Sequence, residues 1–172
     1  NKKDSEDICF IPDNNYVRFL EENNLKSKKG NIVDTEGNIL GKHTGLYKYT
    51  IGQRKGLGIS SKFPLYVVKL DKDKNEVIVG KEEEIFSKKA IITDFNNLLT
   101  ENKIENMKVR AKVRYSAKEA DAIINQIDDK TVEVDFLEPQ RAITPGQALV
   151  LYIDDIVLGL SLIHISEPTR LD

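Results

Sequence analysis

The fold of this chain is decided by an alternating stretch, Met107-Lys108-Val109-Arg110-Ala111-Lys112-Val113-Arg114-Tyr115. A period of two is that of a β-strand, so the apolar residues would face a core while four cations share the opposite face. Such a basic stripe could follow RNA phosphates. The alternative is cross-strand ion pairing, because residues 131–136 carry Glu133 and Asp135 with the same alternation. The pattern alone favours ion pairing.

Further short apolar runs flank this stretch, and turn-forming residues separate them about every ten residues. Strands are predicted at 65–70, 76–80, 108–115, 122–127, 131–136, 148–153 and 156–160. Many short strands at such spacing are typical of a closed barrel or a sandwich. We therefore expect a mainly β fold, with an antiparallel β-barrel over residues 62–160.

The first 61 residues have a different character and predict a small α+β domain. Asp13 is a good N-cap for a short helix that would end near Asn24. Residues 30–41 predict a hairpin, because two apolar pairs flank the turn-forming residues 34–38. The facing apolar residues of this hairpin would be Ile32, Val33, Ile39 and Leu40.

A glycine-punctuated stretch follows, Gly45-Leu46-Tyr47-Lys48-Tyr49-Thr50-Ile51-Gly52-Gln53-Arg54-Lys55-Gly56-Leu57-Gly58-Ile59. It lacks the Gly-x-x-x-x-Gly-Lys-Ser/Thr order of a nucleotide phosphate loop. Arg54 and Lys55, on a tight segment beside Gln53, could instead anchor a nucleic-acid backbone. A solvated loop whose glycines only serve turns fits the residue types equally well.

Cys9 is the only cysteine, so its value lies in burial or in reactivity. Its apolar neighbours favour inert packing, since free cysteine is among the most buried residues. The alternative is a nucleophile or sulfur carrier, which needs an exposed thiolate in positive potential. The local sequence leaves both interpretations open.

Composition limits the possible partners. The formal net charge is only −2, so a nucleic-acid site would have to be a local patch. The chain contains no apolar run near the ~18 residues that span a bilayer, and no signal-peptide apolar region, so no membrane partner is expected. Cytoplasmic location is the default expectation. His43, His164 and one cysteine form no metal-ligand motif, so no metal is expected.

Five segments, in this order and spacing, closely resemble the tRNA-specific 2-thiouridylases. They are residues 7–12, 41–47, 49–59, 114–115 and 143–147. The block Thr50-Ile51-Gly52-Gln53-Arg54-Lys55-Gly56-Leu57-Gly58 is highly specific to that family. The resemblance implies a central domain over 1–61 and a β-barrel over 62–160. It also implies that an N-terminal domain holding the ATP site and another catalytic cysteine is missing from this chain.

The resemblance also implies a reaction, transfer of persulfide sulfur to the 2-position of the ATP-activated wobble uridine of tRNA. Cys9 matches the persulfide-bearing cysteine, and Asp7 would orient its loop. The other catalytic cysteine would form a disulfide with Cys9 or assist release of hydrogen sulfide. A sulfur-relay protein would reload the persulfide.

Family resemblance places Arg114, Tyr115 and Gln147 at barrel positions that touch tRNA, in addition to the anchor expected at Arg54 and Lys55. Residues 161–172 depart from the family and resemble a translated sequencing adapter, so we expect an artefactual tail in which His164 has no function. The chain alone is expected to be inactive. The alternative function is a non-catalytic RNA-binding β-barrel module in which Cys9 is merely packed.

Overall fold

A computed structural model describes residues 18, 28–99, 103–114 and 117–167, with side chains through His164. Two β units make up the described ranges: a four-stranded mixed sheet and a closed six-stranded antiparallel barrel. The mainly β prediction is confirmed. Of the helix predicted from Asp13 to Asn24, Arg18 alone lies in the described residues, where it is helical and exposed.

The four-stranded sheet contains β1 (Gly30–Asp34), β2 (Ile39–His43), β3 (Tyr66–Asp71) and β4 (Glu76–Gly80), in the order β2-β1-β4-β3. Strands β1 and β4 pair in parallel, and the other two pairs are antiparallel. Its core consists of Ile32, Leu57, Val67, Val77 and Val79. The β1–β2 hairpin is confirmed, although a bulge pairs Ile32 with Gly41 and leaves Ile39 and Leu40 exposed on the edge strand.

His43 fastens the end of β2 to the β3–β4 turn and is 2% exposed. The Gly45 N–H donates to its Nδ1 at 3.1 Å, so the ring proton lies on Nε2, which donates to the Asn75 carbonyl at 3.0 Å. A short 3-10 helix, Leu46–Lys48, follows directly. Both ring nitrogens are therefore used inside the fold, and this histidine is structural.

The barrel follows a short 3-10 helix, Glu82–Ile85. Its strands are β5 (Phe86–Asn97), β6 (Met107–Lys112), β7 (Ala120–Gln126), β8 (Val132–Arg141), β9 (Ala148–Ile153) and β10 (Ile156–Glu167). They close in the order β10-β5-β8-β7-β6-β9. Branched residues that include Ile92, Ile124, Leu149, Leu151 and Leu158 fill the interior and are fully buried.

The alternation of the opening stretch is confirmed, but its expected acidic partners are elsewhere. Val109 and Ala111 are buried, whereas Lys108 is exposed. Strand β7 lies between β6 and β8, so Glu133 and Asp135 cannot face the β6 cations. They bind Lys89 of β5 instead, at 3.5 and 3.3 Å, and the Asp135 hydrogen bond and charge raise the pKa of Lys89.

The sheet pairing corrects the expected place of two strands. Residues 66–80 join the four-stranded sheet rather than the barrel, so the strands predicted at 65–70 and 76–80 are not barrel strands. Strand β5, which was not predicted, opens the barrel at Phe86. Residues 161–167 belong to β10 and pair with β5 across two register shifts, and Ile163 is buried. This part of the tail expected from Ser161 thus lies in a barrel strand.

A close contact between a loop of the sheet and a turn of the barrel joins the two units. We call residues 50–58 the Arg54 loop and residues 141–147 the barrel corner. The Gly52 N–H donates to the Val67 carbonyl at 2.7 Å, which fixes the loop to β3. A Cβ on Gly52 would lie 2.8 Å from the Ala142 Cβ, and the φ of Gly52 is +85°. Glycine is therefore required here for backbone conformation and for close approach.

We expect Gly52→Ala to destabilise the protein more than Gly58→Ala. Both glycines have positive φ, at +85° and +69°, but a Cβ on Gly58 would meet nothing within 4 Å. The backbone strain of about 1–2 kcal/mol is common to both variants. Overpacking against Ala142 adds about 1–3 kcal/mol for Gly52→Ala alone. Urea unfolding followed by circular dichroism measures the difference, and equal losses would show that loop and corner separate freely.

Candidate nucleic-acid interface

Four of the residues expected to act on tRNA lie in two places of the structure, and three lie outside the described residues. Arg54 and Lys55 lie on the Arg54 loop, while Arg114 and Gln147 meet at the barrel corner. Cys9, Asp7 and Tyr115 lie outside the described residues. The structure therefore gives geometry for the expected RNA contacts but not for the sulfur chemistry.

Residues 37–70 form an acid-free segment, which contains no Asp or Glu. Its cations are Lys42, Lys48, Arg54, Lys55, Lys62 and Lys69. The chain as a whole has net charge −2, so its acidic residues are concentrated elsewhere. This local patch was missed in the sequence analysis, although its signal is present in the sequence: charge counted in windows reveals it, whereas charge summed over the chain conceals it.

The Arg54 loop holds its two cations outward on a braced turn. The Gln53 Oε1 accepts from the Thr50 N–H, and its Nε2 donates to the Lys55 carbonyl, both at 2.9 Å. Leu57, 6% exposed, anchors the following residues in the core of the sheet. Arg54 and Lys55 are exposed and have no ion pair within the part of the chain that the structure describes. Their positive charge is available to an anion.

The glycines of this loop serve its turns. Gly52, Gly56 and Gly58 all have positive φ, between +69° and +85°. The prediction that these glycines serve turns is confirmed. That Arg54 and Lys55 anchor a nucleic-acid backbone stays a prediction. Glycine allows the tight backbone turns on which both cations are exposed to solvent.

The barrel corner is built around Ala142, which is buried and has φ +50°. Its N–H donates to the Ile85 carbonyl at 2.6 Å, and its carbonyl accepts from Thr144 Oγ1 at 3.0 Å. The guanidinium of Arg114 donates to the same carbonyl and to that of Arg141 at 3.4 Å. Arg114 therefore supports the corner from inside the protein.

Gln147 is also part of the corner. Its Oε1 accepts from the Thr144 N–H at 3.3 Å, and its own N–H donates to the Thr144 carbonyl at 3.2 Å. Gln147 and Arg114 line one surface pocket of about 420 Å³, which Lys112 and Tyr152 also border. The structure thus brings together two residues that the resemblance placed against tRNA, and gives each an internal hydrogen bond.

The basic stripe of β6 is not uniform. Arg110 binds Glu119 at 2.8 Å and Asp155 at 3.2 Å, so its charge is compensated. Lys108 is exposed, with no ion pair among the described residues. Ion pairing on this face is therefore real, but its acids come from the chain before β7 and from the β9–β10 turn. The stripe does not form a continuous track for phosphates.

The described residues contain no group of three or more His, Cys, Asp or Glu side chains arranged to hold a metal ion. Within the same ranges, no helix has the length and apolar character needed to cross a membrane.

Two family models match the chain. One, described as a tRNA methyl transferase PRC-barrel domain, covers residues 18–81, and the other, an aminomethyltransferase beta-barrel domain, covers residues 87–163. Their limits coincide with the division between the two sheets, and the second extends past Leu160.

Curated relatives carry the same two regions. The chain is 52% identical over 165 residues to the tRNA-specific 2-thiouridylase MnmA of Acetivibrio thermocellus, covering 95% of this chain and 46% of the relative. It is 52% identical over 160 residues to that of Halothermothrix orenii and 48% over 160 residues to that of Clostridium kluyveri, with 92% and 45% coverage in both. The chain spans about half the length of the curated relatives it matches. It belongs to the tRNA-specific 2-thiouridylase family.

Proposed function

We propose that this chain is the tRNA-binding and sulfur-carrying part of an enzyme that replaces oxygen by sulfur at position 2 of a tRNA uridine. One observation carries the proposal: the chain is 52% identical to two tRNA-specific 2-thiouridylases, over 95% and 92% of its length. The acid-free segment supports it, because an exposed, uncompensated basic loop attracts a polyanion.

In this proposal the Arg54 loop binds the phosphate backbone of tRNA. Gln53 and the buried Leu57 fix the loop before RNA arrives, so little conformational entropy is lost on binding. Arg114 and Gln147 contact tRNA at the rim of the barrel pocket while they support the corner. Phosphate contacts position the substrate and carry no sequence information by themselves.

Cys9 carries the transferred sulfur as a persulfide. ATP first adenylates the 2-oxygen of the wobble uridine, since that oxygen is otherwise a poor leaving group. The terminal persulfide sulfur then attacks C2, the C–O bond breaks, and AMP leaves with the electron pair. A second thiolate attacks the Cys9 sulfur and breaks the S–S bond, leaving 2-thiouridine and a disulfide. That thiol belongs to another part of the enzyme, because this chain has one cysteine. Asp7 orients the Cys9 loop.

A sulfur-relay protein donates the persulfide sulfur for the next cycle, after reduction of the disulfide. We assign ATP binding to another part of the enzyme, because the sequence of this chain contains no Gly-x-x-x-x-Gly-Lys-Ser/Thr phosphate loop. The complete enzyme would act in the cytoplasm, where its tRNA substrate is found.

We expect Arg54→Ala to weaken tRNA binding and to flatten its salt dependence. Loss of one phosphate contact changes the slope of log K against log salt by roughly 0.7 to 0.9. Lys130→Ala is the matched control, because Lys130 is exposed on the barrel beside Asp128 and Asp129. Fluorescence anisotropy of labelled tRNA at several salt concentrations measures both. Equal slopes for the two variants would place the tRNA on another surface.

We expect Arg114→Ala to destabilise the fold by about 2 kcal/mol, because the corner carbonyls lose a charged hydrogen-bond donor. Arg114→Lys separates structure from charge, since a single ammonium keeps the charge but cannot reproduce the guanidinium fork. It should retain the salt slope of tRNA binding while still losing stability. Thermal unfolding and salt titration are measured together. Unchanged stability in both variants would contradict the corner role.

We expect Cys9→Ser, in the complete enzyme, to abolish 2-thiouridine formation while tRNA-dependent release of AMP continues. Serine is close in volume to cysteine but cannot carry a persulfide. Nucleoside analysis by mass spectrometry measures the product. Thiolation retained in the variant would end the persulfide proposal and favour a binding module. The chain alone serves as the control, and we expect it to release no AMP and form no 2-thiouridine.

A further inference from the structure

Phe63 is the most exposed large hydrophobic residue among those that the structure describes, at 67%. It lines a surface hollow of about 260 Å³ together with Arg54, Ser61, Gly56 and Gly58. We propose that Phe63 is a stacking platform for an unpaired base of the bound tRNA. This inference rests on the proposed function and adds a residue and a ligand class to it.

The backbone holds Phe63 in place. Its N–H donates to Ser61 Oγ at 3.3 Å, and Pro64 follows it, which confines Phe63 to extended conformations. Leu65 then packs against the core of the four-stranded sheet, as Leu57 does at the other side of the hollow. An aromatic ring that is presented from a fixed backbone loses little entropy when a base stacks on it.

The surroundings of the ring favour RNA over an apolar protein partner. Arg54, Lys55 and Lys62 are exposed near it in the sequence, and no acidic residue occurs between positions 37 and 70. The hollow combines the exposed ring with one cation, Arg54, and the Ser61 hydroxyl, which suits a nucleotide whose base stacks while its phosphate meets the charge. Its other apolar side chains, apart from Pro64, are buried or half-buried, whereas an amphipathic protein helix would need a row of exposed ones; these side chains are Leu57, Ile59 and Leu65.

The base must be unpaired. Bases inside a duplex are already stacked on both faces, whereas single-stranded loops can place a base against an aromatic side chain. The ring of Phe63 makes no hydrogen bond and therefore selects for accessibility of the base rather than for its identity. The platform would help the enzyme hold a loop of tRNA in preference to its helical arms.

The test uses the full chain and two probes, an unmodified tRNA transcript and a blunt RNA duplex with a similar number of phosphates. Binding is measured at several salt concentrations for wild type, Phe63→Ala and Phe63→Trp. Leu137→Ala is the matched control, since Leu137 is 55% exposed on β8. Thermal unfolding checks that each variant is folded.

We expect Phe63→Ala to weaken binding of the tRNA by about 5- to 100-fold, the range for loss of one stacked base. Its salt slope should stay that of wild type, because no charge is removed. Phe63→Trp should restore affinity, and Leu137→Ala and duplex binding should be unaffected.

Three results would overturn the inference, and only one of them would also overturn the proposed function. If wild type binds tRNA and Phe63→Ala binds it equally well, the platform is wrong while the proposed function stands. If wild type binds neither RNA, the proposed function fails and the platform fails with it. Equal loss of tRNA and duplex affinity in Phe63→Ala would also reject stacking.

Discussion

The conformation of Ala142 is the constraint on which the arrangement of the two sheets depends. An alanine at positive φ is unfavourable, and it persists here because its surroundings over-determine it. Ile85 accepts from its N–H, Thr144 and Arg114 donate to its carbonyl, and Gly52 leaves room for its methyl group. Barrel, corner and Arg54 loop therefore depend on one buried residue.

Two arginines of the β6 stripe have different roles because their hydrogen-bond and ion-pair partners differ. Arg110 and Arg114 share a face of the sequence pattern, yet the turn after β9 and the residue before β7 supply acids to Arg110. The chain around Arg114 supplies backbone carbonyls instead. A carbonyl orients a guanidinium without cancelling its charge, so Arg114 keeps the positive potential that Arg110 loses.

A strand could be predicted from the sequence wherever apolar and polar residues alternate without a break, as in β6 around Val109 and Ala111. Strand β5 was not predicted, because a register shift between Ser87 and Lys89 interrupts the alternation of its apolar and polar residues. The membership of β3 and β4 in the four-stranded sheet was not predicted, because the parallel pairing of β1 with β4 joins residues that are distant in the sequence. Arg54 and Lys55 were predicted from residue type, whereas the proposal for Phe63 needed the structure, since the exposure of an aromatic residue cannot be read from the sequence.

The parallel pairing of β1 with β4 has a consequence for how this protein folds. Asn31 meets Glu76 only after the whole acid-free segment has been closed into a loop. The β1–β2 and β3–β4 hairpins pair residues that are close in the sequence, whereas joining β1 to β4 costs the entropy of closing that loop. We therefore expect the parallel pair to form after both hairpins and to set the rate at which the sheet assembles.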